Sequence, residues 1–368
     1  MSLGRDPASL KLPASPSAML DQFDQSEIVI RDDASDTACS EFLTRRDGSI
    51  YLYPQWDRVF AVYGLETLRL TAWRRDSPVG LLPLVWQMST LLGTRLISLP
   101  WFDSAGVVAN DEPAANRLVM AAREAAMRRR VPTVELRQAR PVDGWPLGDT
   151  DKALLRLRLT ADPDELWHKL PSKVRNQVRK GEKSGLSVEV SHDAQSSQRL
   201  VPEFHRVYAT NMRDMGSPSH SLRFLETVVD SFPDKCRLAI VRLNGNAVGG
   251  GLTLASGRAL EIPWASSSRQ FGSLCVNHVM YWQLLRTACV GRFEWFHFGR
   301  STIDSGPYHF KKQWGAEAVP LAWHVWCQQA TGGSPRHDRR LQLAARLWRR
   351  LPLSVARRLG PRVIRHLP

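Results

Sequence analysis

The feature that most constrains this chain is an ordered set of elements that occurs twice. Strand-like alternation over residues 67–73 leads through the turn Asp76-Ser77-Pro78 into an apolar run at 79–86, which together predict a hairpin. A strand at 95–99 ends in Pro100-Trp101. Leu118, Ala122 and Ala125 then share one face of a predicted helix over 114–130, and the run TVELR at 133–137 closes the unit as a further strand. The same order returns with strands at 237–243 and 248–255 about the turn Asn244-Gly245-Asn246, a strand at 259–262 before Pro263-Trp264, a helix at 276–290 and a strand at 292–298. Gly80 and Gly249 are 169 residues apart, Trp101 and Trp264 163, Leu136 and Phe298 162. Matching order at a near-constant separation predicts a duplicated domain, each copy an α/β (α+β) unit of mostly antiparallel strands with its helix packed on the sheet.

A length of 368 residues suits two such domains, and 43% hydrophobic residues with 13 Trp and 12 Phe supply folded cores. The expected division is a flexible segment at 1–25, an N-terminal domain at 26–150, a C-terminal domain at 151–330 and an Arg-rich amphipathic tail at 331–368. The net charge of +14 invites a nucleic-acid reading, but residues 336–368 hold ten Arg and a single acid, so the tail alone carries +9 of it. The five cysteines form no CxxC pair and no close Cys/His cluster, which argues against a zinc site and for reduced thiols. No stretch approaches the roughly 18 apolar residues of a membrane span, and the first 25 residues lack an apolar signal core. The expected location is the cytoplasm, with the tail as a peripheral membrane contact.

The second unit ends in Phe298-Gly299-Arg300-Ser301, followed by Gly306-Pro307-Tyr308-His309-Phe310-Lys311-Lys312-Gln313-Trp314-Gly315. With Tyr53-Pro54-Gln55-Trp56, Leu82-Pro83-Leu84, Ser98-Leu99-Pro100 and Met212-Arg213-Asp214-Met215-Gly216, this pattern resembles the FemAB-related, exosortase-associated GNAT proteins, which carry a BioF2-like acetyltransferase domain. The likeness runs from about Tyr51 to Trp326. It implies two tandem GNAT-like (acyl-CoA N-acyltransferase) domains and transfer of an acyl or aminoacyl group to an amine, with no permanently bound cofactor and acyl-CoA as co-substrate. One departure is His297, which stands before FGRS where an acid is common in the resembling proteins.

The resemblance places the donor pyrophosphate on the loop 266–273, whose small residues allow close backbone approach and whose Arg269 can neutralise a phosphate. Ser268, Arg269, Gly272 and Ser273 are therefore the expected donor contacts. His297, near the end of a strand and on the face opposite Phe296 and Phe298, and Asp304 in the loop beyond are the candidate bases for the amine proton, with a satisfied structural imidazole and a capping or turn-forming carboxylate as the respective alternatives. Arg300, Ser301, Tyr308, Lys311, Lys312 and Trp314 combine cations, hydroxyls and an aromatic face suited to an anionic sugar- or diphosphate-bearing substrate. Trp314 and Phe310, four apart, equally suit core anchors. Residues 164–184 read as one basic helix in which Lys173, Arg175 and Arg179 attract phosphate on tRNA, CoA or a lipid-linked sugar.

In the tail, Leu341, Ala344, Trp348 and Leu351 share one helical face among arginines, a pattern that adsorbs to anionic lipid or, alternatively, packs on the domains or stays partly disordered. The leading function is acyl transfer from acyl-CoA to an amine of an envelope or exopolysaccharide precursor. Aminoacyl transfer from charged tRNA is the alternative within enzymology, and a non-catalytic scaffold that binds a lipid-linked sugar or nucleic acid is the alternative outside it.

Overall fold

The computed structural model describes residues 28–367, apart from 47, 90–92, 140, 143, 149 and 329–338. The segment expected to be flexible, 1–25, and the start of the tail lie outside the described residues. In chain order the first part comprises β1 (Ile28–Arg31), α1 (Asp36–Arg45), α2 (Trp56–Ala61), β2 (Glu66–Arg74), β3 (Ser77–Gln87), β4 (Arg95–Ile97), β5 (Val108–Ala109), α3 (Glu112–Arg128) and β6 (Thr133–Gln138). The second comprises β7 (Lys152–Arg158), α4 (Pro163–Lys169), α5 (Ser172–Lys183), β8 (Leu186–Val190), α6 (Ala194–Met215), α7 (Leu222–Ser231), β9 (Cys236–Leu243), β10 (Asn246–Ser256), β11 (Ala259–Ser267), α8 (Val276–Val290), β12 (Trp295–Thr302), α9 (Gly306–Lys312) and β13 (Glu317–Pro320). Then come β14 (Ala322–Cys327), α10 (Arg339–Trp348) and α11 (Leu353–Ile364).

The repeat is real at the level of pairing. One sheet runs β1-β2-β3-β4-β6-β14, with β5 against β3; the other runs β13-β7-β12-β11-β10-β9-β8. In each, an antiparallel hairpin (β2–β3, β9–β10) is followed by a strand that pairs in parallel with the strand after the long helix: β4 with β6, and β11 with β12. Only a crossover can join parallel neighbours, and α3 and α8 supply it. α3 starts where Asp111 accepts a hydrogen bond from Ala114 N, and it buries Leu118, Val119, Ala122 and Ala126 against the first sheet. α8 lies close on β10 because Gly249 has no side chain; a Cβ there would sit 2.5 Å from Val276 Cγ1.

Three local expectations need correction. Residues 164–184 form two helices, because Pro171 holds Leu170 in an extended conformation (φ −65°, ψ 142°) and ends α4. The strand at 322–327, assigned from sequence to the C-terminal domain, pairs antiparallel with β6 throughout and so completes the first sheet. The tail does not stand outside the cores: Ala356, Gly360 and Ile364 of α11 are buried, and Ile364 joins a cluster with Trp56, Phe60 and Phe102 of the first unit and Phe204, Phe224 and Trp264 of the second. That cluster spans both units, so they share a hydrophobic core rather than a polar hinge. Among the described residues, no helix is long and apolar enough to cross a membrane.

Candidate active site

β11 and β12 are paired over three residues only, ending at Glu261↔His297. Past that point β11 continues along β10 as far as Ser267, while β12 follows β7 to Thr302. The two strands therefore part, and the outer edge of β11 is left to face a gap. A register shift between His297 and Arg300, with Gly299 at φ 73°, marks where β12 departs. Only glycine adopts this left-handed conformation without strain, and a Cβ there would lie 3.4 Å from Asp103 Oδ2.

Two hollows meet at the parting strands. A cleft of about 530 Å³ extends from Lys311 and Phe298 past Ser266 and Arg269 to Asn277 at the start of α8. A smaller cavity of about 180 Å³ lies between the units, lined by Tyr51, Phe102, Asp103, Trp264 and Arg300. Ile262, Pro263, Phe298 and Lys311 line both, so Lys311 stands at their junction.

The first unit reaches this junction through the loop after β4, in which Leu99 (φ 44°) and Trp101 (φ 73°) take left-handed conformations that cost a non-glycine residue about 1–2 kcal/mol each. The packing of Phe102 on Tyr51, with ring centroids 4.3 Å apart, and on Trp56, 4.5 Å apart, holds the loop in place. Asp103 is thereby delivered to β12, where Oδ2 accepts the Arg300 backbone N–H at 2.7 Å and Oδ1 lies 3.5 Å from Arg300 Nε. Arg300 Nη1 donates to Phe102 O at 3.2 Å, and its guanidinium lies 5.2 Å from the centre of the Trp323 ring.

Lys311 Nζ donates to Gly299 O at 3.0 Å and Arg300 O at 2.9 Å. Burial of the ammonium pushes its pKa down to about 8, with Asp103 opposing the shift and Arg300 adding to it. Behind the cavity His297 Nδ1 lies 3.6 Å from Glu261 Oε1. The buried Tyr51 phenol is held well above its usual pKa, by burial first and then by the charges of Glu261 and Asp103, so it stays protonated.

On the donor side, 269–274 form a short 3-10 turn leading into α8, and a Cβ at Gly272 would meet open space. Cys275 begins α8 with φ 62° and donates its thiol to Gln177 of α5 at 2.5 Å. Val174, Val178 and Gly181 of α5 are buried, and a Cβ at Gly181 would lie 2.3 Å from Val279 of α8. This packing leaves Lys173, Arg179, Lys180 and Lys183 exposed beside the donor turn.

Of the residues singled out from sequence, Arg269, Arg300 and Lys311 line the joined hollows. Ser268, Gly272 and Ser273 flank Arg269 in its turn. Ser301 is buried, and its hydroxyl makes no hydrogen bond among the described residues. Arg175 is half-buried on α5, whereas Arg179 lies over the Trp167 ring at 5.4 Å. Asp304 occupies an exposed turn at φ 61°, and Lys312 is exposed on α9; neither lines the hollows. Trp314 requires correction as a substrate contact, because it is fully buried against Phe298, Phe310 and Tyr281. Tyr308 is half-buried against the same core. Sequence reading missed Asp103, Glu261 and Tyr51; the one signal for Glu261 was a carboxylate amid the apolar run Ala259-Leu260-Glu261-Ile262.

Residues 169–312 match the family model of the acetyltransferase (GNAT) domain, a stretch that contains the parting strands and the larger cleft and supplies one wall of the smaller cavity. Acyl-CoA is the co-substrate of such acetyltransferases. No curated protein matches the chain significantly. Among solved structures, FemX aligns over 81% of this chain and 97% of its own at 14% identity and a TM-score of 0.63. The C-terminal domain of a putative lysylphosphatidylglycerol synthetase from Agrobacterium fabrum aligns over 79% and 91% at 14% identity and a TM-score of 0.54. A conserved protein of unknown function from Bacteroides thetaiotaomicron aligns over 82% and 100% at 9% identity and 0.53. At these identities the likeness establishes a FemAB-like fold that extends well beyond the matched domain.

Proposed function

We propose that this chain is an N-acyltransferase that passes an acyl group from acyl-CoA to an amine on an anionic, sugar- or lipid-linked envelope precursor. The observation that carries the reading is the junction of a donor-sized cleft with an inter-unit cavity at one half-buried lysine. The pantetheine arm lies along the free edge of β11, and the pyrophosphate meets Arg269 and the first-turn N–H groups of α8. The thioester carbonyl then comes to Lys311, whose ammonium stabilises the oxyanion.

The acceptor enters the inter-unit cavity, where Arg300 draws its anionic group and Asp103 its amine. The amine lone pair attacks the thioester carbon, and Asp103 takes the proton as the C–N bond forms. Collapse of the tetrahedral intermediate expels the CoA thiolate, and the proton held by Asp103 passes through solvent to the thiolate, which restores the carboxylate.

Native mass spectrometry and calorimetry with CoA thioesters test this reading. A one-to-one complex weakened about tenfold by Arg269→Gln is expected. The second reading, aminoacyl transfer from charged tRNA, is favoured by the exposed cations of α5 beside the donor turn. Binding of charged tRNA in the absence of any CoA complex would select it.

A further inference from the structure

Helix α10, the first of the two tail helices, turns two of its leucines outward. Leu343 and Leu347, one turn apart, are each 57% exposed, and Arg346 and Arg350 beside them are exposed as well. The inward face is held by Ala345, whose carbonyl oxygen would lie 2.6 Å from a Cβ on Gly216, and by Arg349, whose Nη2 donates to Met215 O at 3.3 Å. Arg213 Nη1 closes the connection on Leu351 O at 3.3 Å. The next helix repeats the arrangement: α11 buries Ala356, Gly360 and Ile364 and turns Val355, Arg358 and Arg362 to solvent. Among the described residues, no carboxylate pairs with Arg346, Arg350, Arg358 or Arg362.

A helix that docks by its small residues and exposes leucines among unpaired arginines is built to meet a surface both apolar and anionic. Nucleic acid offers charge without an apolar phase, and a soluble acidic protein would have to bring an apolar patch matched to both leucines. An anionic bilayer offers both at the depth that such a helix reaches.

The position of α10 adds what the tail sequence could not. Met215, to which Arg349 is bound, lines the mouth of the donor cleft. We propose that α10 and α11 form a rigid platform that seats the enzyme on an anionic membrane with the cleft mouth beside the lipid surface, so that one substrate is taken from the bilayer. Seating on the membrane stands on the platform alone; the assignment of a bilayer-borne substrate rests on the acyltransfer reading above.

Co-sedimentation of the full chain with phosphatidylglycerol-containing and pure phosphatidylcholine vesicles tests the platform without any chemistry. The full chain is expected to bind the anionic vesicles and not the neutral ones, and added salt should weaken the binding. The pair Leu343→Asp and Leu347→Asp should weaken binding about tenfold or more, with melting temperature unchanged because both side chains are already exposed. Arg346→Gln with Arg350→Gln should weaken it without touching the leucines. Hydrogen exchange on vesicles should slow in Arg339–Trp348 and around Met215, and not in α1. Binding that ignores the leucines, or that total tRNA supports as well as lipid and with the same mutational profile, would overturn the platform. Protection of α1 in place of α10 would overturn the orientation. Vesicle binding with normal orientation but no CoA thioester complex would leave the platform standing and sink the acyltransfer reading separately.

Discussion

Asp103 Oδ2 accepts a 2.7 Å hydrogen bond from the backbone of Arg300, across 197 residues of chain and between the two halves of the duplication. One acid of the first unit thus fixes the departure point of β12 in the second, next to the lysine on which transfer is proposed to turn. Asp103→Asn keeps an acceptor for Arg300 N but cannot take a proton. We expect turnover to fall by about a hundredfold or more with the melting temperature nearly constant. His297→Gln should cost no more than about threefold; a larger loss would move the base to the His297–Glu261 pair.

Lys311 gives a pH signature. Its folded pKa of about 8 lies below the ordinary lysine value of 10.5, so between these limits the folded state holds fewer protons than the unfolded state. Its contribution to stability therefore rises with pH over that window, and the difference between the native chain and Lys311→Met in chemical denaturation should show that slope. Activity runs the other way: the oxyanion needs the ammonium, so kcat/KM should decline as pH rises through about 8. A flat profile to pH 9.5 would remove Lys311 from the chemistry.

Gly299→Ala forces a side chain into a left-handed conformation against Asp103. A loss of about 1–2 kcal/mol in denaturant unfolding is expected, with a larger fall in activity than in stability. An unchanged midpoint would mean that β12 does not need this kink.

Removing α11 by a stop before Leu353 should destabilise the protein by about 2–5 kcal/mol, the scale of emptying a buried isoleucine site. It strips Ile364 from the shared core and takes away the carbonyls of Ile364 and Leu367 that accept the Trp101 indole N–H at 3.3 and 3.0 Å. Thermal denaturation measures this; a truncated protein as stable as the full chain would show α11 to be dispensable.

The duplication was legible because it rests on local signals: hairpin turns, alternation and one helix face per unit. The Fem-like motif likewise pointed to Arg300 and Lys311, since their strand and helix are continuous in sequence. Asp103 was not legible: the Pro100-Trp101 pair before it recurs as Pro263-Trp264, but the acid itself has no counterpart in that repeat and acquires its role only when Leu99 and Trp101 bend the loop across the interface. Trp314 misled for the opposite reason: four residues from Phe310, it fits a ligand face and a core face equally, and only packing chose the core. Neither the exchange of β14 nor the inward docking of α11 has a local cause. Each depends on a partner far away along the chain, β6 for one and the Trp101 loop for the other.

The pairing of β14 with β6 also dictates when the first half can finish. As the polypeptide leaves the ribosome, the β6 edge emerges early and stays an open template until the whole second half has been synthesised. The N-terminal half cannot mature as an independent co-translational unit, and a nascent chain paused before Ala322 exposes a sheet edge open to pairing with other chains. Aggregation of a product cut between the halves is the outcome expected from the loss of that returning strand.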